Sequence, residues 1–271
     1  MSLQTNTIME FLPYSQKATL LKISLYIFLL LLLVFIANLA SAPLSKFKEM
    51  KQVVLADSLF VERFKEEYNQ KNISPLIREI AYKESLLELS KNDSIQLVLD
   101  LVDSTAHLAI NGVIIHTNKI EDLEIDPLLR KLPNLVYLHI FSKPLRFVKE
   151  TATIIKEPIV ERQAPKDSLE ASRNAYQPDT LIQNPAFINI TLERGITLII
   201  DQNEDPIFED KWEQFKFHNE EAFELFKAKI YRFVTFQSSE YHTSIKMKMP
   251  ASDIRAIYRA IPTNAKVVLR Y

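Results

Sequence analysis

Three side chains that can do chemistry alternate along one short stretch near the end of the chain. They are His242, Ser244 and Lys246, in the sequence Tyr241-His-Thr-Ser-Ile-Lys-Met247. Successive side chains of a β-strand point to opposite faces, so this spacing places all three on the same face. A serine hydroxyl becomes a nucleophile when a positioned base removes its proton. With His242 or His218 as that base, the stretch would carry acyl-transfer chemistry.

The elements that follow would hold this stretch in a sheet. Ser252 is a good helix N-cap, and Asp253 in the first turn interacts favourably with the helix dipole. The predicted helix carries Arg255 and Arg259, and a last strand runs to Tyr271. The end of the chain therefore predicts a loop, a strand, a short helix and a final strand.

This terminal block resembles the end of the L,D-transpeptidase catalytic domain, whose matching loop reads approximately Ser-His-Gly-Cys-Ile-Arg-Met. The resemblance continues, through weaker patterns, back to residue 94. It implies a mixed α+β, mainly β fold: a β-sandwich or barrel with flanking helices. In that family a cysteine attacks a peptide carbonyl, a histidine on a neighbouring strand acts as the base, and an arginine helps to place the substrate.

Compared with that family, the chain lacks both catalytic groups. Ser244 stands at the cysteine position, and the chain contains no cysteine. The best match to the strand that carries the base begins at Gly195 and ends at Asp201, and aliphatic residues occupy the histidine position there. Thr243 replaces a loop glycine, which predicts strain if the loop needs positive φ. Lys246 replaces the arginine and cannot bind a carboxylate through two parallel hydrogen bonds.

The resemblance therefore implies a pseudoenzyme that acts by binding. We expect it to bind peptidoglycan or partner proteins of the cell envelope through the remnant of the groove, whose predicted residues are His242, Ser244, Lys246, Arg255 and Arg259. Two alternatives stay open: a structural subunit of a membrane complex without wall binding, and a Ser244-dependent hydrolase or transferase. Homo- or hetero-oligomerisation is also left open.

An uncharged run of 20 residues begins at Ile23 and ends at Ala42. At 1.5 Å per residue it spans about 30 Å, the thickness of the hydrocarbon core of a bilayer. A signal peptide is the alternative, because Ala40-Ser-Ala42 resembles a cleavage site, but Pro43 should hinder processing. We expect a single anchor in the bacterial inner membrane, with the large domain in the periplasm. The flanking lysines nearly balance, so the orientation depends partly on the resemblance.

These features divide the chain into four predicted parts: a tail over residues 1–22, a transmembrane helix over 23–42, a juxtamembrane helical stalk over 43–92 and the transpeptidase-like domain over 93–271. The stalk is predicted to contain two helices, over residues 53–68 and 74–89. They either pair with another protein or pack on the distal domain.

Alternating apolar residues predict a three-stranded meander over residues 94–117, with a type I′ turn at Asn111-Gly112. They also predict a hairpin over residues 187–201 that turns at Gly195. Residues 122–132 are expected to form a short helix, and the apolar residues 134–141 a strand. The segment from residue 150 to 185 is predicted to be a long excursion, either a functional lid or flexible.

A helix is predicted over residues 212–233, and its apolar stripe is expected in the core. Recognition of sugar rings by stacking is the alternative for the aromatic members of this stripe. The stripe comprises Trp212, Phe215, Phe223, Phe226 and Ile230.

Composition argues against several other functions. The net charge is −1, from 33 basic and 34 acidic residues, which disfavours nucleic-acid binding. The absence of cysteine removes thiolate chemistry, and two glycines leave no glycine-rich phosphate loop. His107 and His116 could form a cross-strand metal pair, with ordinary sheet positions as the simpler alternative. The acidic run over residues 204–210 is expected to be a solvated loop, and we expect no metal and no cofactor.

Overall fold

A computed structural model describes residues 14–64, 74–156, 185–204 and 208–271. Its first helix, α1, spans Tyr14–Ala56, contains the whole predicted apolar run and continues through Pro43. Within the described residues, α1 is the one helix long and apolar enough to cross a membrane. Its most apolar window has a mean hydropathy of 2.8, and none of that window is buried. Length and composition therefore agree with the predicted transmembrane helix.

The chain divides into two compact units. The first holds the described residues as far as Lys48 together with Leu225–Tyr241. The second holds Glu49–Glu224 and His242–Tyr271, and it contains the sheet. Residues 49–92, which include most of the predicted stalk, belong to the same unit as the sheet.

The described strands of the second unit form one mixed sheet in the order β3-β2-β1-β9-β5-β6-β7-β8-β4. Their bounds are β1 Gln96–Asp100, β2 Thr105–Ile110, β3 Val113–Lys119, β4 Asp122–Ile125, β5 Leu145–Ala152, β6 Phe187–Leu192, β7 Ile196–Gln202, β8 Thr243–Met249 and β9 Lys266–Arg270. The β1–β9 and β7–β8 pairs are parallel, and the other pairs are antiparallel. The fold is therefore mixed α+β with a mostly antiparallel sheet.

The two halves of this sheet meet through apolar side chains. Leu97 of β1, Ile188 of β6 and Met247 of β8 line a common cavity of about 10 Å³. Ile254, from helix α7 (Ala251–Ala260), closes it on another side. Because the cavity has room for about one water molecule and an apolar lining, it is a gap in core packing and not a ligand site.

Both predicted hairpins are confirmed. Asn111 and Gly112 have φ values of 51° and 75°, the left-handed conformations that a type I′ turn needs. A Cβ at Gly112 would lie 2.9 Å from Ser90 Cβ, so close packing also requires glycine there. The β6–β7 hairpin turns through a single 3₁₀ turn, Glu193–Gly195, in which Arg194 has a φ of 68°.

The two helices after α1 belong to the second unit. Asp57 interrupts the predicted helix over residues 53–68 and accepts a hydrogen bond of 3.1 Å from the Phe60 N–H, at the start of α2 (Ser58–Phe64). Helix α3 spans Ser74–Leu89, with Pro75 in its first turn, as predicted. It packs on β9 and on helix α5 (Asn134–Phe141). Helix α3 therefore follows the packed alternative.

Residues 134–141 form helix α5, so the predicted strand is wrong. Five of its eight residues are buried, and a short, mostly apolar run shows no period that separates helix from strand. The predicted helix over residues 122–132 is wrong in its first part, which is strand β4. Helix α4 occupies Pro127–Arg130, and Asp126 Oδ1 accepts a 2.8 Å hydrogen bond from the Leu128 N–H.

Helix α6 spans Phe208–Val234 and contains the whole predicted helix over residues 212–233. Its packing differs from the prediction. Trp212, Phe215 and Phe223 of its apolar stripe are 68%, 58% and 59% exposed. The expectation that this stripe lies in the core is therefore wrong. The Trp212 and Phe215 rings stack on each other with centroids 5.7 Å apart, and sugar recognition by them stays a prediction.

The N-terminus of α7 is stabilised by a residue distant in sequence. Ser252 lies inside the helix, so the predicted Ser252 cap is wrong. Instead, both carboxylate oxygens of Glu204 lie 3.0 Å from the Ala251 nitrogen. A negative charge at this end of the helix interacts favourably with the helix dipole. The other acidic members of the run lie outside the described part of the structure: Asp205, and the side chains of Glu209 and Asp210. Residues 157–184 of the predicted excursion lie outside it as well.

Candidate functional site

Strand β8 carries the candidate site and lies between β7 and β4. Its burial alternates: Thr243, Ile245 and Met247 are buried, whereas Lys246 is exposed and Ser244 half-buried. The predicted alternation of this stretch is therefore confirmed from residue 243 onward. Ser244 and Lys246 share the face of the sheet that points away from the apolar cavity.

The register of β7 and β8 gives the neighbours of Ser244. Thr197 is its partner on β7, and Ile196 is the partner of Thr243. The strand in which the resemblance places the base is β7, and β7 pairs directly with β8. A threonine, not a histidine, faces Ser244 there.

The Ser244 hydroxyl has no hydrogen-bond partner among the described residues. Its backbone carbonyl accepts a hydrogen bond of 3.0 Å from the Asp126 N–H. His242 is half-buried just before β8, and it makes no hydrogen bond or ion pair in the described part of the chain. The described geometry therefore offers no activated nucleophile at this position.

Thr243 does not have a positive φ, so the condition under which strain was predicted is not met. It is the first residue of β8 and is fully buried. The positive φ values of non-glycine residues in the described chain occur at other positions. Its hydroxyl donates a hydrogen bond of 3.3 Å to the Gly195 carbonyl. Residue 243 therefore lies in a regular strand, whose backbone does not require a glycine.

Two lysines of β8 pair with the edge strand β4. Lys246 Nζ lies 3.1 Å from Glu124 Oε2, and Lys248 Nζ lies 3.8 Å from Asp122 Oδ2. All four side chains are more than half exposed, so each pair contributes little to stability. The pairing nevertheless means that an anionic ligand of Lys246 must compete with Glu124.

The two predicted arginines lie on α7. Arg259 is exposed and Arg255 is half-buried. Between them Tyr258 is buried, with Lys156 Nζ 4.4 Å from its ring centre and Glu150 bound to that lysine at 2.8 Å. Burial, and secondarily the Glu150 carboxylate, raises the pKa of Tyr258 to about 12, so its phenol stays neutral. Sequence reasoning missed this cluster, because about a hundred residues separate Tyr258 from its partners.

The histidines do not form the proposed metal pair. His107 faces Thr117 across the hairpin, and His116 faces Leu108 at a register shift, so the two are not opposite each other. The His107 ring is bound on both sides, by Thr105 and Thr117 hydroxyls at 2.9 Å each. Burial lowers its pKa. No group of three metal-ligating side chains occurs in the described residues.

A second histidine environment was not anticipated. His139 Nε2 lies 3.6 Å from Asp57 Oδ2, its Nδ1 lies 3.4 Å from an Arg194 nitrogen, and Phe60 packs against its ring. Burial and the Arg194 charge lower the pKa of His139. These contacts join α2, α5 and the β6–β7 turn.

No family model matches the chain, and neither the curated proteins nor the solved structures give a significant match.

Proposed function

We propose that the chain is a membrane-anchored, catalytically inactive L,D-transpeptidase-like protein of the bacterial cell envelope that acts by binding. Helix α1 anchors it in the inner membrane, and the sheet unit lies in the periplasm. Its ligand is peptidoglycan or a partner protein of the envelope. The length and apolarity of α1 support the anchor, and the terminal strand–helix–strand block supports the resemblance.

The observation that carries the proposal is the register of β7 and β8. If the resemblance holds, Thr197 occupies the sheet position beside Ser244 from which a base would act. A threonine hydroxyl does not remove a proton at neutral pH, so Ser244 would stay a neutral alcohol. What remains on this face is a set of polar side chains with two lysines, Lys246 and Lys248, which are paired with carboxylates of β4. An acidic stem peptide could bind Lys246 by displacing Glu124.

Co-sedimentation of the full-length chain in detergent with isolated peptidoglycan tests this proposal. We expect the wild-type chain to sediment with peptidoglycan, and Lys246→Ala to reduce the bound fraction several-fold, because Lys246 is an exposed cation on the candidate face. Lys119→Ala, an exposed lysine on strand β3, is the matched control and should leave binding unchanged.

Absence of sedimentation would remove the wall-binding version of the proposal. In that case chemical crosslinking of the chain in its native membrane should capture a stable partner. A structural subunit without wall binding is the second candidate, favoured by the exposed Trp212, Phe215 and Phe223 of α6. A chain that binds neither peptidoglycan nor a partner would contradict both.

A further inference from the structure

The end of helix α6 contacts helix α1 within the apolar run of residues 23–42. The Phe233 ring meets the Phe35 ring edge-on, with centroids 5.1 Å apart. A few residues later, the Ser239 N–H donates a hydrogen bond of 3.0 Å to Asn38 Oδ1. Both contacts lie inside the first unit, which contains Leu225–Tyr241.

The depth of these contacts follows from helix geometry. Phe35 lies seven residues and Asn38 four residues before Ala42, which ends the apolar run. At 1.5 Å per residue, they lie about 10 Å and about 6 Å inside that end. Because the run matches the thickness of the hydrocarbon core, the partners of Phe35 and Asn38, Phe233 and Ser239, would lie inside one leaflet, within about 10 Å of its boundary.

The presence of the polar Asn38 within the apolar run has a physical explanation. A backbone N–H outside a helix has no water partner at this depth, and leaving it unpaired in lipid is strongly unfavourable. The Asn38 amide supplies that partner for Ser239, which lies after the last turn of α6. The chain thus satisfies a non-helical backbone group where a membrane would require it.

The exposure of this segment differs from that of an amphipathic helix in a water-soluble protein. Two of its three cations, Lys229 and Arg232, are half-buried, whereas Lys227 is exposed. Most of the large apolar side chains are exposed, and Phe236 is 99% exposed. A helix surrounded by water would bury the apolar side chains and expose the cations. The exposed apolar set is Phe226, Ile230, Tyr231, Val234 and Phe236.

We propose that the lipid bilayer covers this surface: residues 225–241 insert their exposed apolar side chains at the boundary of the leaflet in which the apolar run of α1 ends. This inference rests on the proposed membrane anchoring of α1. Lys227, Lys229 and Arg232, against the single acidic residue Glu240, give the segment a net charge of +2 (three minus one). Cations next to aromatic side chains suit an interface that contains anionic lipid.

Tryptophan fluorescence in the full-length chain tests the inference directly. Trp212 is the single tryptophan, so Trp212→Phe gives a silent background into which Val234→Trp or Phe236→Trp is introduced. The chain is reconstituted into vesicles of phosphatidylcholine and phosphatidylglycerol, with or without bromine on the acyl chains. Leu29→Trp, in the middle of the apolar run, is the reference for lipid contact in the same background.

We expect bromolipid to quench tryptophan at 234 and 236 to an extent comparable with position 29, and aqueous iodide to have little effect. If position 29 is quenched but 234 and 236 respond to iodide, the segment faces water and the inference is overturned while the anchor stands. Shielding of 234 and 236 from both quenchers would mean that protein covers them, and it also overturns the inference. If position 29 escapes bromolipid, the anchor and the inference fail together.

Discussion

Replacement of Arg270 by Ala should lower the free energy of unfolding by about 3 kcal/mol, the lower end of the range for breaking a buried ion pair. The Arg270 guanidinium lies 2.7 Å from Asp100 Oδ2 and 2.8 Å from Glu79 Oε2. Only 7% of the Asp100 side chain is exposed, so removing its cation leaves a buried carboxylate held only by hydrogen bonds from the Val102 and Asp103 N–H groups. The hydrogen bond with Asp100 also raises the pKa of Arg270, which is consistent with a strong pair.

The same residue ties helix α3 to the sheet, because Glu79 lies on α3 and Arg270 on β9. Urea denaturation of the full-length chain in detergent, followed by circular dichroism, measures the effect. Arg270→Lys keeps the positive charge but not the planar guanidinium group, so its loss of unfolding free energy should be smaller than that of Arg270→Ala. Arg130→Ala, an exposed arginine on α4, is the control and should change stability by less than about 0.5 kcal/mol. Equal stability of Arg270→Ala and Arg130→Ala would contradict the role assigned to this network.

Replacing Leu29 and Leu30 together by lysine should release the chain from the membrane. A lysine at the centre of a spanning helix costs about 2.5–3.5 kcal/mol, so two cost about 5–7 kcal/mol. Since about 1.4 kcal/mol corresponds to a tenfold change in an equilibrium, insertion should weaken by more than about a thousandfold. Both leucines are exposed in α1, so the substitutions disturb no described core.

Alkaline carbonate extraction of membranes from expressing cells checks this result. Wild-type chain should stay in the pellet, and the double variant should appear in the supernatant or be degraded. Lysines at Leu59 and Leu87, which are 80% and 69% exposed outside the apolar run, form the matched control and should leave the chain in the pellet. Full retention of the Leu29, Leu30 double variant would mean that α1 does not span the bilayer.

Local signals predicted much of the sheet. The Asn111-Gly112 turn, and the alternation of apolar residues on either side of it, defined the meander without any tertiary information. The apolar alternation around Gly195 similarly predicted β6 and β7. Helix α5 could not be predicted in this way, because burial on nearly every side removes the polar positions that reveal a period.

The errors on α6 and α7 have a different origin. An amphipathic pattern shows that one face of α6 avoids water, but it does not show whether protein or lipid covers that face. The Glu204 cap of α7 joins residues 47 positions apart, and sequence alone favoured the local serine. The pairing of Lys246 with Glu124, which lie 122 positions apart, could not be predicted from the sequence either. The candidate face was therefore located from sequence, whereas the partners of its side chains were not.

The most direct test of the account is the intact mass of the full-length chain after incubation with peptidoglycan stem peptides. An acyl transfer through Ser244 would form an ester on its hydroxyl and add the mass of the acyl group. Thr197 stands beside Ser244, and the Ser244 hydroxyl has no hydrogen-bond partner among the described residues. The account therefore predicts that the mass of the chain stays unmodified and the stem peptides stay intact. This result is expected for the wild-type chain and for Ser244→Ala alike. An acyl adduct on the peptide containing Ser244, absent from Ser244→Ala, would contradict it.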